Sequence, residues 1–458
     1  MMQDSNRSFI AGVVEGFYGL PWNARQRHQL FGWLKEWGLN TFMYAPKDDL
    51  KHRWRWRELY DEGQTAELAA LIRDCRRHGL NFIYAIGPGL DFRYADPADL
   101  TALVLKLDQT RDLGAVDFAL LFDDIPRTMR PEDAARFPSF ASAQAFVANE
   151  VCARIKAVNP VARVLFCPTE YCGRMAQPTV KDSAYLNELG ELLGPEIGVF
   201  WTGPEIISET ISMASIRELQ TVLRRKPVIW DNLHANDYDM RRLYLGPYAG
   251  RPAELRAEVA GILSNPNCQF EANFVPIRTF ARYCAGDAST PREAFLDAAA
   301  AWLPLFRADE QSAITPGDLE LIGNMFCLPT EFGPLAEQYL RDVRWLFRVP
   351  PSEWGAVYQR FGRATSVMIE LLDRLARIGN RELFHALYRY LWELREEVTL
   401  THAYVEWRRG GASPSAAFCS PGHRPKIYRG GFVAALQHLL PMDELGQFSN
   451  APTGAPTK

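Results

Sequence analysis

The chain has 458 residues, 47% of them hydrophobic and 23% charged, a globular composition long enough for one to three domains and wrong for a disordered chain. Its 51 Lys and Arg against 55 Asp and Glu give a net charge of −4, which argues against a nucleic-acid or anionic-membrane binder. No apolar run approaches the roughly 20 residues of a membrane span, Met1 to Ser8 lacks the apolar core of a signal peptide, and the scattered cysteines form neither a CxxC pair nor a finger spacing, so a cytoplasmic protein without a disulfide framework is expected.

Phe9 to Val14 reads as a buried strand. Asn23 to Trp37 follows as a helix, with Leu30, Phe31, Leu34 and Trp37 at helical spacing, Asn23 as N-cap and Gly38 as the stop. The second strand is Asn40 to Ala45, and the second helix is Thr65 to Gly79, with Leu68, Leu71, Ile72 and Cys75 on its apolar face. Glycine before a buried strand recurs at Gly38, Gly79 and Gly114, the chemistry of a short αβ loop. Further strands read at Phe118–Phe122, Val164–Cys167, Gly198–Trp201, Val228–Trp230 and Phe270–Asn273, with amphipathic segments such as Leu100/Leu103/Val104/Leu107 between them. Eight βα units in about 300 residues predict an α/β fold of the (β/α)₈ TIM-barrel kind, and no GxGxxG follows strand one to favour a nucleotide-binding sheet.

Beyond about residue 310 strands disappear. Leu319–Phe326, Leu335–Phe347, Trp354–Ile378 and Arg381–Trp407 read as helices, and Phe432–Leu440 as a last amphipathic segment after the Gly/Pro/Ser-rich stretch Gly410–Gly431. The expected organisation is a barrel over 1–300, an all-α helical domain over 301–445 and a loose tail over 446–458.

In a barrel, chemistry gathers at the carboxyl ends of the strands. There the sequence places Glu15 to Tyr18, Lys47-Asp48-Asp49, Asp123-Asp124, Thr169-Glu170-Tyr171, Trp201-Thr202, Trp230-Asp231-Asn232 and Glu271-Ala272-Asn273. Carboxylates, amides, one lysine and flat rings suit a carbohydrate, whose hydroxyls need polar partners and whose C–H faces pack on aromatics. Asp123-Asp124 is the sharpest signal. Two neighbouring carboxyls at a partly apolar strand end should not both ionise easily, so one is expected to be raised, as a general acid requires. Adjacent residues are poorly placed for a glycosidase acid and nucleophile on opposite sides of a sugar. They suit a reaction in which the substrate's own 2-acetamido oxygen attacks. A Mg²⁺ site or a solvated turn is the alternative reading of the dipeptide alone.

Gly12 to Gly19 (GVVEGFYG), Tyr44 to Asp49 (YAPKDD), Phe118 to Ile125 (FALLFDDI), Phe166 to Cys172 (FCPTEYC), Trp201 to Pro204 (WTGP) and Trp230 to Asp239 (WDNLHANDYD) together resemble the O-GlcNAcases, the protein β-N-acetylglucosaminidases of glycoside hydrolase family 84. The blocks run in order over roughly residues 9–280. Leu328-Pro329-Thr330-Glu331 and Tyr428-Arg429-Gly430-Gly431 are similar to the stalk domain of the eukaryotic-type members. The resemblance implies a retaining, substrate-assisted exo-β-N-acetylglucosaminidase acting through an oxazoline. Asp123 would assist the acetamido group and Asp124 would be acid and then base. It implies sugar contacts at Gly16, Lys47, Asn232, Asp237 and Asn265. An acetamido pocket is implied at Tyr171, Cys167, Thr202 and Trp230, and Tyr18 and Tyr238 would line the cleft.

No metal or other cofactor is expected. His234 lacks a second ligand at sensible spacing, and Cys167-x₄-Cys172 is no metal signature. Lys51-His52-Arg53-Trp54-Arg55-Trp56-Arg57 mixes basic and aromatic residues but reads as a loop over the active face rather than a nucleic-acid contact, and Arg341, Arg344 and Arg348 as a solvated face. The expected partners are a GlcNAc-bearing protein or glycan and a second copy of the chain through the Tyr/Trp/Leu-rich helices. The competing functions are the same pocket acting on free glycans such as hyaluronan or chitin fragments, and a non-catalytic GlcNAc-binding module.

Overall fold

Side chains at the helix starts close the barrel's connections. The structure, a computed structural model, describes residues 9–310, 312–411, 418 and 429–440. Asn23 accepts a hydrogen bond from the Gln26 backbone N–H while the Gln26 side-chain oxygen accepts one from the Asn23 backbone N–H, so helix Ala24–Glu36 starts on the predicted cap. Asp61 and Gln64 do the same for helix Glu62–Arg77. Both helices end at a left-handed glycine, Gly38 (φ +76°) and Gly79 (φ +77°), where any Cβ would be strained.

Eight parallel strands follow: β1 (Ile10–Glu15), β2 (Thr41–Tyr44), β3 (Asn81–Ile86), β4 (Asp117–Leu121), β5 (Val164–Cys167), β6 (Ile197–Trp201), β7 (Val228–Asp231) and β8 (Gly261–Ser264). They pair in sequence order, and Ile10 against Gly261 closes the barrel by joining β1 to β8. Ile10, Val14, Met43, Ile83, Ala119, Leu121, Leu165, Phe200, Val228 and Leu263 fill its interior. The expected barrel is therefore present, with one correction. Phe270–Asn273 is a single 3-10 turn, and the eighth strand is the earlier Gly261–Ser264. Its apolar run is brief, broken by Gly261 and followed at once by Ser264-Asn265-Pro266-Asn267.

The chain divides into two compact units. The first comprises Met1–Asp237, Tyr248–Cys268 and Ile277–Ser289; the second comprises Tyr238–Pro247, Gln269–Pro276 and Thr290–Lys458. Within the second, helices Pro316–Met325, Pro334–Arg348, Gly355–Leu375, Arg381–Arg409 and Gly431–Gln437 appear where the apolar periodicity places them. Helix Gly355–Leu375 packs on Arg381–Arg409. Phe361, Met368, Leu371 and Leu375 of one helix and Leu383, Leu387, Leu394 and Val398 of the other are buried, each burial contributing about 1.5–3 kcal/mol. The expected tail, 446–458, lies outside the described residues, as does most of Gly410–Gly431. Among the described residues no helix is long and apolar enough to cross a membrane, and the seven described cysteines are free thiols.

Candidate active site

At the carboxyl end of β4, the two adjacent aspartates meet different surroundings. Asp123 is buried. Its Oδ2 accepts a hydrogen bond from Lys47 Nζ at 2.7 Å, while its Oδ1 is buried with no partner. Burial by itself pushes this carboxyl up, but the Lys47 ammonium and the Arg53 guanidinium outweigh it and hold the group below the usual carboxylate range. Like-charge repulsion therefore does not raise Asp123, because a lysine from the end of β2 neutralises it first.

Asp124 leaves the strand with a left-handed backbone, φ +51°, which costs a non-glycine residue roughly 1–2 kcal/mol. Its side chain is exposed. Oδ1 accepts the Tyr171 hydroxyl at 2.8 Å and Oδ2 the Tyr18 hydroxyl at 3.4 Å. In a continuing strand neighbouring side chains would point to opposite faces. The turn instead brings both carboxylates to one set of groups, since the Tyr18 ring that reaches Asp124 also lies 5.9 Å from Lys47 Nζ.

The remaining predicted positions form a connected lining. A Cβ on Gly16 would sit 2.4 Å from the Trp230 ring, so only glycine lets that indole close over the strand end. Lys47 Nζ lies 5.8 Å from the same ring. Trp230 Nε1 and Asn265 Nδ2 both donate to Asn232 Oδ1, at 3.0 and 2.9 Å, and Asn232 Nδ2 donates to the Ile206 carbonyl at 2.9 Å. Asn232 is thereby locked, and the Asn265 Oδ1 remains buried without a partner. Asp237 Oδ2 accepts the Tyr18 backbone N–H at 2.8 Å. Thr202 Oγ1 donates to the Glu205 carbonyl at 2.7 Å, and its backbone N–H to the Tyr171 carbonyl at 2.9 Å. Cys167 packs with Tyr171, Cys172 and Trp230, and burial pushes its thiol well above the ordinary range, which suits a wall and not a nucleophile. Tyr238 is exposed and opens the second unit's segment Tyr238–Pro247. Glu271 and Asn273, expected at a strand end, lie in the 3-10 turn of that second unit.

Arg53, expected only as part of a loop over the active face, also reaches the aspartate pair. Its guanidinium is buried and donates through Nη2 to the Asp124 carbonyl at 2.9 Å and the Asp123 carbonyl at 3.5 Å. A basic residue inside an otherwise solvent-like run carries no periodic signal of burial. Among the described residues one His/Asp group is close enough to share a metal ion: His28, Asp74 and His78, on or next to helices Ala24–Glu36 and Glu62–Arg77 and not at the strand ends.

The sequence profile of the beta-N-acetylglucosaminidases matches residues 11–312. The chain is 30% identical to the Protein O-GlcNAcase of Rattus norvegicus and 29% identical to that of Mus musculus, in each case over 98% of this chain and 71% of the relative. An aspartate-to-asparagine mutant of the O-GlcNAc hydrolase of Thermobaculum terrenum superposes with a TM-score of 0.70 at 28% identity, covering 88% of this chain and 83% of that one.

Proposed function

The chain belongs to the O-GlcNAcase family of beta-N-acetylglucosaminidases and is a glycoside hydrolase; from that premise we propose that it removes β-linked N-acetylglucosamine from Ser and Thr of proteins by substrate-assisted catalysis. The observation that carries the mechanism is the division of labour between Asp123 and Asp124. An ionised, buried carboxylate with one vacant oxygen suits an acetamido N–H. Held there, the acetamido oxygen attacks the anomeric carbon and forms an oxazoline, with retention after water opens it. Asp124, one residue later and exposed, gives a proton to the leaving oxygen and then takes one from the attacking water, its Oδ2 being the oxygen with the longer hydrogen bond.

In this reading Gly16, Lys47, Asn265 and Asp237 hold the sugar hydroxyls, with Tyr18 along the cleft. Tyr171, Cys167, Thr202, Trp230 and Asn232 surround the acetamido group. Residues 1–300 carry the chemistry and 301–445 pair two copies of the chain. The pairing is supported by Trp345, Val367, Tyr388 and Trp392, large apolar side chains left exposed on the second unit's helices.

Hydrolysis of an aryl N-acetyl-β-glucosaminide beside the matching β-glucoside tests the mechanism. Turnover of the acetamido sugar alone is expected, and equal turnover of both excludes an obligatory acetamido nucleophile. A glycopeptide is expected to react faster than a chitobiose disaccharide, and the reverse order removes the protein substrate. Light scattering at micromolar concentration is expected to give twice the chain mass.

A further inference from the structure

The segment Lys51 to Arg57, expected as a loop over the active face, is largely internal. Lys51, His52, Arg53 and Trp56 are buried. His52 is pinned to the end of β3: its Nδ1 meets the Ala85 carbonyl at 2.7 Å and so must carry the proton, and its own carbonyl accepts the Gly87 N–H at 2.9 Å. Trp56 Nε1 donates to Asp91 at 2.8 Å, and Arg57 Nε to Asp99 at 2.9 Å. Arg53 is thus clamped on both sides. From this base its Nη2 reaches the two main-chain carbonyls of the aspartate pair.

Those carbonyls flank the peptide that takes the left-handed turn at Asp124. A non-glycine residue stays in that conformation only where its surroundings over-determine it. Resting on the reading of Asp123 and Asp124 given above, we propose that Arg53 is a positioning residue for the hydrolysis: its guanidinium, held by the Lys51–Arg57 segment, fixes the Asp123 and Asp124 carbonyls so that two neighbouring carboxylates face one sugar. Touching only main chain, it leaves both side chains free for substrate. Its charge also acts through space on Asp123, whose other charged or titratable neighbours are Lys47, His52, Asp124, Cys167 and Tyr18.

Kinetics of Arg53→Lys and Arg53→Met on an aryl N-acetyl-β-glucosaminide, beside wild type, test this. Arg53→Met is expected to lose about 100-fold in kcat with little change in KM, the size of effect expected from misplacing a reacting group by about 1 Å. Without the guanidinium charge Asp123 holds its proton to higher pH, so the acid limb of the rate profile is expected to move up in Arg53→Met and to stay in Arg53→Lys. Guanidinium ion added to Arg53→Ala is expected to restore part of kcat. Folded variants with wild-type kcat overturn the proposal, as does a loss that merely tracks the unfolded fraction and ignores added guanidinium. If Arg53→Met does not fold, Arg53→Lys decides by the same kcat and KM readout. A wild-type chain without turnover sinks the catalytic reading and this inference with it; an active wild type with an unaltered Arg53→Lys sinks this inference alone.

Discussion

Strand ends β1 and β7 carry carboxylates as deeply buried as the one on β4, yet the three are treated differently. Glu15 accepts two hydrogen bonds from Arg27, each at 2.8 Å, and one from the Trp22 N–H at 2.9 Å. Asp231 accepts Arg251 at 2.8 and 2.7 Å, the Tyr248 hydroxyl at 2.6 Å and the Leu233 N–H at 3.1 Å. Asp49, nearby on the β2 loop, takes two tyrosine hydroxyls. Asp123 receives one lysine on one oxygen and nothing on the other. A carboxylate whose lone pairs are all filled from within is part of the scaffold. One left half-filled in a buried pocket has room for one more donor, which is what the role proposed for Asp123 requires.

The sharpest way to break the comparison is to exchange the consequences. Asp124→Asn and Asp123→Asn are each expected to lose about 10²–10⁴-fold in kcat while the fold stays intact, and Asp124→Asn should lose more on an alkyl than on a nitrophenyl leaving group. If either variant unfolds instead, Asp123–Asp124 belongs with the scaffold carboxylates. Arg251→Met is the mirror experiment. It strands the Asp231 charge in the interior and is expected to destabilise the chain by about 3–5 kcal/mol in urea unfolding. The kcat of its folded fraction should be unchanged. A folded but inactive Arg251→Met would show that Asp231 does more than brace its strand end.

That contrast also separates what was legible in the sequence from what was not. Local patterns carried the fold: the Asn23 cap, the recurring Gly38 and Gly79 stops, and the apolar runs of seven strands read directly. Gly261–Ser264 escaped because Gly261 interrupts its short apolar run and no β-branched or aromatic cluster marks it, while Phe270–Asn273 mimicked a strand with three buried residues in one turn. At the site, residue types named the reaction class, and the resemblance supplied the individual positions. What no local pattern contains is pairing at long range. The ion pair from Lys47 to Asp123 spans 76 positions, and with Arg53 it holds that carboxyl low despite its burial. Arg53 reaches 71 positions to its carbonyl for the same reason.

The helical unit supplies a third treatment of a buried carboxylate, smaller in consequence. Glu397 Oε1 is buried without a partner, because Arg429 donates to Glu396 at 2.7 Å and pairs with Glu393 at 3.6 Å. Burial pushes Glu397 up to about 7, with Arg429 opposing and Glu396 adding to the shift. The sign follows from proton uptake. Between the ordinary value of 4.5 and about 7 the folded chain holds a proton that the unfolded chain has released, so stability falls as pH rises through that window and levels above it. Glu397→Gln removes the slope: it is expected to match wild type at pH near 4.5 and to exceed it by about 3 kcal/mol at pH 8 in urea unfolding. A vacancy in a packed helical core suppresses the charge; at β4 the adjacent lysine preserves it. Equal stability of the two chains at pH 8 would mean that Arg429 neutralises Glu397 as Arg251 does Asp231.

The finest resolution of the comparison lies in the two tyrosines on Asp124. Tyr171 donates at 2.8 Å to Oδ1, and the other tyrosine at 3.4 Å to Oδ2. A hydrogen bond weakens with length, and the shorter one orients the carboxyl so that its second oxygen meets the leaving group. Tyr171→Phe is expected to lower kcat about tenfold, a loss of roughly 1.4 kcal/mol in the barrier, and Tyr18→Phe by only about two- to threefold. Both variants keep their rings, so packing around Cys167 and Trp230 is preserved and KM should move little. If Tyr18→Phe were the more damaging change, Oδ2 would be a held oxygen like those of Glu15 and Asp231, and the proton for the leaving group would have to travel from Oδ1.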